Sequence, residues 1–520
     1  MAEGGRGLAR RSRDALQLLL HPRKLWREHR PWAIALIVGV VAVVAGGVVA
    51  YEALKRPADV HNEDVINRFE EQKPPPPKEP KTVNWPLYGY DLARTRYLPV
   101  KGVKPPFRKL WRFTDRPLLE FPPIYVGGKL YFVNNNGFAH ALDADTGKVL
   151  WKRRIGRLNA SSPAFYKNRL YIVNLEPGHI LKLDAKTGKT IWKRDLPGRA
   201  ESSPVVIDRT VYFGVENGEL FAMSTGKGQV RWSTPLGGAI KAAPAYYGGK
   251  LFVGDYGGYM NAVDAKSGKL VWQSGSLGPG FGGSGAFYST PAVAYGRVYA
   301  GNNDARVYSY DTADGELAWS YSTGGYAYSG PAVAHTKHSP PTVFIGSFDG
   351  NVYALDAKDG GVRWSRSAGG QVIGSLSAVG DIVYVAEFTD KTTSGFMMRS
   401  GKRVFRYPYG TYTPVISDGR RVYLTGYSSI TALQPFKHRI DVAGRIEAPA
   451  VKAKPPPPPA RKSAKKRAKR AKKQPQGAKK KSRKRSSDAR GRRRGAGAAA
   501  SERPARKKGN ARSGDGRGGR

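Results

Sequence analysis

Cysteine is absent from the 520 residues of this chain. That excludes disulfides, thiolate metal sites and a lipid-modified N-terminal cysteine, while fitting either side of a membrane. Histidine is scarce, at 8 residues, and never in a metal-binding spacing: His335 and His338 stand three apart with no carboxylate nearby. No Ser/His/Asp set and no phosphate-cradling glycine loop stands out. Acidic residues are few as well, 40 Asp+Glu against 87 Lys+Arg for a formal charge of +47. The excess is uneven. Residues 447–520 hold 28 basic against 4 acidic residues, and residues 1–31 hold 8 against 3. About half of it therefore sits in one tail, and the isoelectric point is no property of the folded part.

What is present begins with an uncharged run over residues 31–51, rich in Val, Ala, Ile, Leu and Gly and bracketed by Trp32 and Tyr51. Roughly 20 apolar residues span the hydrocarbon core as a helix, and interfacial aromatics mark its ends. A cleaved signal peptide has a shorter apolar core and a small-residue cleavage site, so an uncleaved signal anchor is expected. Arg6, Arg10, Arg11, Arg13, Arg23, Lys24, Arg27 and Arg30 precede the run, and only Lys55 and Arg56 follow it closely. The positive-inside rule puts the N-terminus in the cytoplasm and the rest outside. A leader of 31 residues is too short for an effector domain, which disfavours an inward-signalling receptor. Ala42, Gly46 and Ala50 form a small-residue stripe of a kind common by chance in such spans.

The division expected is a cytoplasmic leader (1–30), a transmembrane helix (31–54), a Pro-rich stalk (55–83), a folded domain (84–440) and a disordered basic tail (441–520). The folded domain repeats. Trp111, Trp151, Trp192, Trp232, Trp272, Trp319, Trp364 and Phe405 recur at spacings of 40, 41, 40, 40, 47, 45 and 41 residues. Four residues before each of the last seven stands a Gly, from Gly147 to Gly401. Eight before stands Asp143, Asp184, Asp264, Asp311 or Asp356, with Ser224 and Met397 as departures. Each unit reads as four short strands, for example 162–165, 169–173, 179–184 and 190–194. The Asp caps the last turn and the Gly supplies its positive φ. Four strands in about 40 residues make a propeller blade. The aromatics then glue blades together and are not a cofactor box. Asp143-Ala-Asp145-Thr-Gly147 mimics the start of a calcium loop but lacks the downstream Glu, so it reads as a turn.

Residues 108–114, carrying Trp111, form a lone fourth strand, whereas 413–417, 421–426 and 429–434 are three strands without a fourth. Joining them closes the ring and removes its exposed edge. The fold expected is all-β, an eight-bladed propeller of four-stranded blades, with seven blades as the alternative count.

Residues 141–151 and 354–364, written Ala-Leu-Asp-Ala-x-Thr-Gly-Lys-x-x-Trp with small changes, resemble the pyrroloquinoline-quinone-like propeller repeat. The lead-in Asn84-Trp85-Pro86-Leu87-Tyr88-Gly89-Tyr90-Asp91, followed by Thr95-Arg96-Tyr97, is similar to the N-terminal signature of quinoprotein dehydrogenases. The resemblance covers about residues 84–435 and implies two branches. Quinoprotein dehydrogenases bind the quinone in the axial funnel with Ca²⁺ and a catalytic Asp, many with a vicinal disulfide. This chain has no Cys, and no Asp or Glu in it matches the family's ligands or base. The other branch is non-catalytic and resembles the propeller of the outer-membrane barrel assembly machinery, which binds partners on loops at one face. The chain departs from that branch in its helical anchor.

The candidate site is the funnel mouth. Inner strands open with small-small-Pro motifs such as 161–163, 202–204 and 242–244. The residues three before each Pro should ring the axis: Glu120, Ala160, Glu201, Lys241, Tyr288, Tyr328 and Thr411. Phe281, Phe287 and Tyr326 should flank the aromatic side. Aromatics beside opposite charges suit a peptide or glycan; the bland alternative is a plugged channel. No catalytic, cofactor or metal residue is assigned, and pyrroloquinoline quinone with calcium enters only under the oxidoreductase alternative. The partners expected are the membrane and a protein or anionic envelope polymer. Nucleic acid is excluded so long as the tail, which has no aromatic to stack on bases, lies outside.

Overall fold

The computed structural model describes residues 30–54, 57–69, 80, 82–279, 284–412, 415–436, 439–440 and 446–447. The basic leader, Phe281 and nearly all of the tail lie outside the described residues. Beyond residue 440 only Ile446–Glu447 is described, paired antiparallel with Arg439–Ile440.

Strands are counted from β1 (Tyr97–Leu98) and β2 (Phe107–Thr114). Blade one follows as β3 (Ile124–Val126), β4 (Lys129–Val133), β5 (Phe138–Asp143) and β6 (Val149–Arg154). Such antiparallel meanders recur to give eight four-stranded sheets, one of which gains β1 as a fifth, parallel strand. The outer strands of blades two to seven are Thr190–Asp195, Val230–Pro235, Leu270–Gly275, Leu317–Ser322, Val362–Ser367 and Arg403–Tyr407. Blade eight is built from both ends of the domain. Ile416–Ser417, Val422–Thr425 and Ser429–Pro435 supply three strands, and β2 pairs with the last of them with Trp111 opposite Ala432. The ring is closed as the repeat count requires, with eight blades and not seven.

The conserved spacing of the repeat has a geometric cause at each seam between blades. Each of the seven repeat Trp indole N–H groups donates to a backbone carbonyl of the next blade, from Trp111 to Ala144 (3.1 Å) through to Trp364 to Met398 (2.8 Å). The acceptor always follows the Asp-type turn position. The turn Gly lies against the face of the same ring: a Cβ on Gly147 would come within 2.6 Å of Trp111, and one on Gly315 within 2.6 Å of Trp272. These glycines also hold φ of +72° and +79°. A side chain there would be strained twice, by the backbone and by the indole. Asp143 is committed to its own turn, its carboxylate accepting from the Thr146 N–H (2.9 Å) and hydroxyl (2.7 Å).

Phe405 now has a reason for not being a Trp. Its neighbour is blade eight, where the third and fourth strands come from opposite ends of the domain and no turn joins them. Neither a turn carbonyl nor a turn glycine is present to receive an indole. Phe107 of β2 packs edge-on against Phe405 instead, at 5.3 Å and 88°.

The segment after residue 84 crosses one end of the central axis. Trp85 pairs with Tyr125 of blade one, and carbonyls of Pro86, Leu92, Ala93, Thr95 and Arg96 accept from Phe165, Tyr246, Val293, Val333 and Ala378. Each donor sits on an innermost strand. The lead-in is therefore a plug stitched to six blades.

Residues 57–69, read from sequence as part of a stalk, lie against blade five. The Asn62 N–H donates to the Ala318 carbonyl (2.9 Å), and the Ser320 N–H donates to the Val60 carbonyl (3.0 Å). The short helix α2 (Glu63–Ile66; α1 precedes it as Arg30–Leu54) buries Val65 and Ile66 in the blade-five core. Arg68 pairs with Asp314 (2.8 Å) and Glu316 (2.9 Å). This strap covers Trp319 completely, whereas Trp151, Trp192, Trp272 and Trp364 keep 6–8% exposure. The side chains described in α1, at positions 34–35 and 37–47, are exposed, and among the described residues no helix is long and apolar enough to cross a membrane.

Candidate functional site

The plug sets the floor of the axial funnel. Arg94 and Arg96 are fully buried. The Arg94 guanidinium donates to carbonyls of Pro244 (3.0 Å), Ser203 (3.1 Å), Pro204 (3.3 Å) and Tyr88, and that of Arg96 to Pro331 (2.9 Å), Arg94 (2.9 Å) and Thr290 (3.3 Å). Burial, and then the adjacent Arg96, lowers Arg94 to about 9, so it stays charged at neutral pH. The Tyr88 ring lies over both guanidiniums, at 5.2 Å from Arg96 and 6.0 Å from Arg94. Its hydroxyl meets Ser375 at 2.5 Å.

Above Tyr88 lies a well of about 100 Å³. Glu120, Lys241, Tyr288 and Tyr328 of the expected ring line it, together with Phe121, Ile373 and Tyr412. Glu201 stands behind Lys241, whose ammonium pairs with Glu201 (3.1 Å) and Glu216 (3.3 Å). Glu120 accepts from Asn135 (3.1 Å). Burial and the nearby Glu201 push the Glu120 carboxyl up to about 7. Glu201 is raised by burial despite Lys241. For Lys241 burial acts downward, but Glu201 and Glu216 outweigh it and hold the ammonium above its usual range.

The opposite wall is aromatic. Tyr288 packs edge-on against Tyr328 (5.6 Å) and Tyr256 (6.3 Å). Phe348 packs against Tyr328 (5.1 Å) and Tyr326 (5.7 Å). Tyr326 is half exposed at the lip. Phe287 does not join them: it is fully buried and packs edge-on against Tyr308 (5.7 Å) and Tyr310 (6.3 Å). It is core between blades four and five, because the residue beside a ring position points away from the axis. Ala160 and Thr411 are buried, and Tyr412 lines the well in place of Thr411.

Two sets of lining residues escaped the sequence reading. Ile373 occupies the ring position of blade seven, where Gly374-Ser375-Leu376 replaces the small-small-Pro signal. The tips of the hairpins between second and third strands form a second ring, including Asn135, Glu216, Tyr256, Phe348 and Phe388. Their N–H groups donate to Leu118, Arg199, Ala239, Tyr326 and Gln371, each two residues before a ring position. That regular offset was the available signal. Among the described residues no group of three His, Asp or Glu is placed to hold a metal ion.

The profile of a family described as "Outer membrane protein assembly factor BamB" matches residues 100–243 and 236–436, which is most of the chain. The chain belongs to that family. This BamB-family propeller superposes on BamB from Moraxella catarrhalis with a TM-score of 0.54 at 16% identity, over 63% of this chain and 100% of that one. Quinohemoprotein alcohol dehydrogenase from Comamonas testosteroni gives a TM-score of 0.57 at 14% identity, over 76% and 86%. At such identities the likeness is one of fold. A stretch of 121 residues is 26% identical to quinate/shikimate dehydrogenase (quinone) of Acinetobacter baylyi, covering 20% of this chain and 15% of that enzyme. The chain thus spans a small part of that relative. These matches agree with the pyrroloquinoline-quinone-like propeller repeat expected from residues 141–151 and 354–364.

Proposed function

We propose that this BamB-family chain is a membrane-anchored, extracytoplasmic scaffold whose funnel mouth holds a segment of a protein partner. The observation that carries the reading is the well above Tyr88. At about 100 Å³ it is well below the roughly 300–1,000 Å³ of small-molecule sites, yet it accommodates one side chain from an extended segment. On one side Lys241 pairs with Glu201 and Glu216, Glu216 also meets Arg199 (3.6 Å), and Glu120 stands nearby without an ion pair to Lys241; rigid tyrosines stand on the other side. A basic residue flanked by apolar ones is the complement. The helix α1 supports anchoring through exposed Ile34, Ile37, Val38, Val40, Val41, Val43 and Val44. Only residues 55 and 56 separate it from the strap, a reach of roughly 11 Å. The excess of Lys and Arg before residue 31 supports an N-terminus in the cytoplasm with the propeller and tail outside.

The test is a photoreactive amino acid at Tyr326 in intact membranes. A discrete protein adduct at that position, lost on Tyr328→Ala, is expected; adducts at the outer strands alone would refute the mouth as the site.

The alternative, a quinone-dependent oxidoreductase, is disfavoured by the chemistry of the lining. A quinone bearing three carboxylates would meet Glu120 beside an already paired Lys241, in a well too small for three fused rings. Bound-cofactor absorbance and dye reduction on adding pyrroloquinoline quinone and Ca²⁺ would reverse this preference.

A further inference from the structure

The outer strands of the eight blades carry very different charge. Blade one ends Trp151-Lys152-Arg153-Arg154 and blade two has Lys193-Arg194, while β2 of blade eight begins Phe107-Arg108-Lys109. All these cations are exposed. Blade seven adds exposed Arg403 and Arg406. Blade six carries exposed Arg363 and Arg366 as well, Arg363 paired with Asp356 (2.5 Å). On the far side, Leu270–Gly275 of blade four and Leu317–Ser322 of blade five hold no charge, and Val230–Pro235 of blade three holds only Arg231. The cations are also poorly neutralised. Lys152, Lys193 and Arg406 have distant carboxylates at 3.7, 3.5 and 3.8 Å. Arg153 and Arg194 donate to backbone carbonyls, which leave their charge in place.

We infer that this belt, running over blades six, seven, eight, one and two, is a binding surface for an extended polyanion, a polymer bearing repeated phosphate or carboxylate groups. Protection of edge strands explains a scatter of Lys and Arg on such strands. It does not explain the asymmetry, because the edge of blade four is exposed without any and that of blade three has only Arg231. Apolar side chains do not mark the belt: exposed Val149, Leu150, Ile191 and Val362 have counterparts in Val230, Leu270 and Val271 outside it. Charge alone distinguishes the surface, and charge without insertion suits a polymer better than a bilayer. In a ring of eight the belt centres on blade eight, opposite blade four, and leaves out blade five, which carries the strap that follows α1 within two residues. The chain also leaves the propeller inside the belt, since the Phe436 N–H donates to the Pro106 carbonyl (3.1 Å) at the start of β2. The inference is independent of the funnel mouth.

The test uses the full chain in detergent, inorganic polyphosphate as the probe, and a variant with Lys152→Gln, Arg153→Gln, Arg154→Gln, Lys193→Gln and Arg194→Gln. Wild type should bind with strong salt dependence. The variant should bind at least tenfold more weakly at 0.1 M salt, with its log–log salt slope reduced by about 3 to 4 on the basis of counterion release per lost contact. Its thermal midpoint should stay near wild type, and Lys152→Arg with Lys193→Arg should retain affinity. Unchanged affinity in the five-site variant would overturn the proposal and assign binding to the tail. It would equally be overturned if the five substitutions weakened binding to phosphatidylglycerol vesicles or duplex DNA while leaving polyphosphate binding intact.

Discussion

Replacing Glu120 by Gln should stabilise the propeller at pH 8 and leave its stability nearly unchanged at pH 4. Glu120 is held at about 7 in the folded chain, against its usual 4.5, by burial and by Glu201. The folded state therefore binds this proton more tightly than the unfolded chain does. Below pH 4.5 both states are protonated and nothing is lost. As the pH climbs from 4.5 to 7 the unfolded chain ionises first, and stability falls; above 7 the full penalty applies. At about 1.4 kcal/mol per pH unit the ionised carboxylate costs about 3 kcal/mol at pH 8. Gln keeps an acceptor for Asn135 and removes the charge. Thermal midpoints of both proteins, followed by tryptophan fluorescence from pH 4 to 8, should diverge across that window, with the variant above. A constant difference, or a variant less stable at pH 8, would refute the account of the mouth as a site where unbalanced negative charge is held at the expense of stability.

Gly315→Ala should destabilise by about 2 kcal/mol or more, since the φ of +79° and the indole of Trp272 at 2.6 Å both oppose a Cβ; denaturant midpoints will show it. Trp364→Phe should cost about 1 kcal/mol for the lost bond to Met398, whereas Phe405→Trp should gain nothing and destabilise by about 1 kcal/mol, because no turn carbonyl awaits its N–H. Val65→Asp should release the strap from blade five: limited proteolysis should then cut within 57–69 while the propeller core resists, and continued protection would contradict the packing described.

The seam contacts explain why so much of the architecture was readable from residue order. A Trp that must reach one carbonyl and one Gly in the next blade fixes three positions per repeat, so Trp151, Asp184 and Gly188 recur in register wherever a covalent turn exists. The same logic let β2 be assigned to blade eight from its orphaned Trp111. The funnel mouth was legible only in part. Glu120, Lys241, Tyr288 and Tyr328 follow from spacing before an inner Pro, but Ile373 has no Pro to announce it, and Phe287 is turned into the core by strand alternation.

Residue order by itself determined the repeat, the blade count, the closing strand and the apolar run, because each depends on local spacing. Only the tertiary structure decided that 84–98 plugs the axis, that 57–69 covers Trp319 and that the cations of five adjacent blades form one belt. Those features join residues as far apart as Asn62 and Ala318 or Arg96 and Pro331. Such contacts have no period along the chain, so they exist only once the ring has closed and brought its inner strands and outer edges into fixed order.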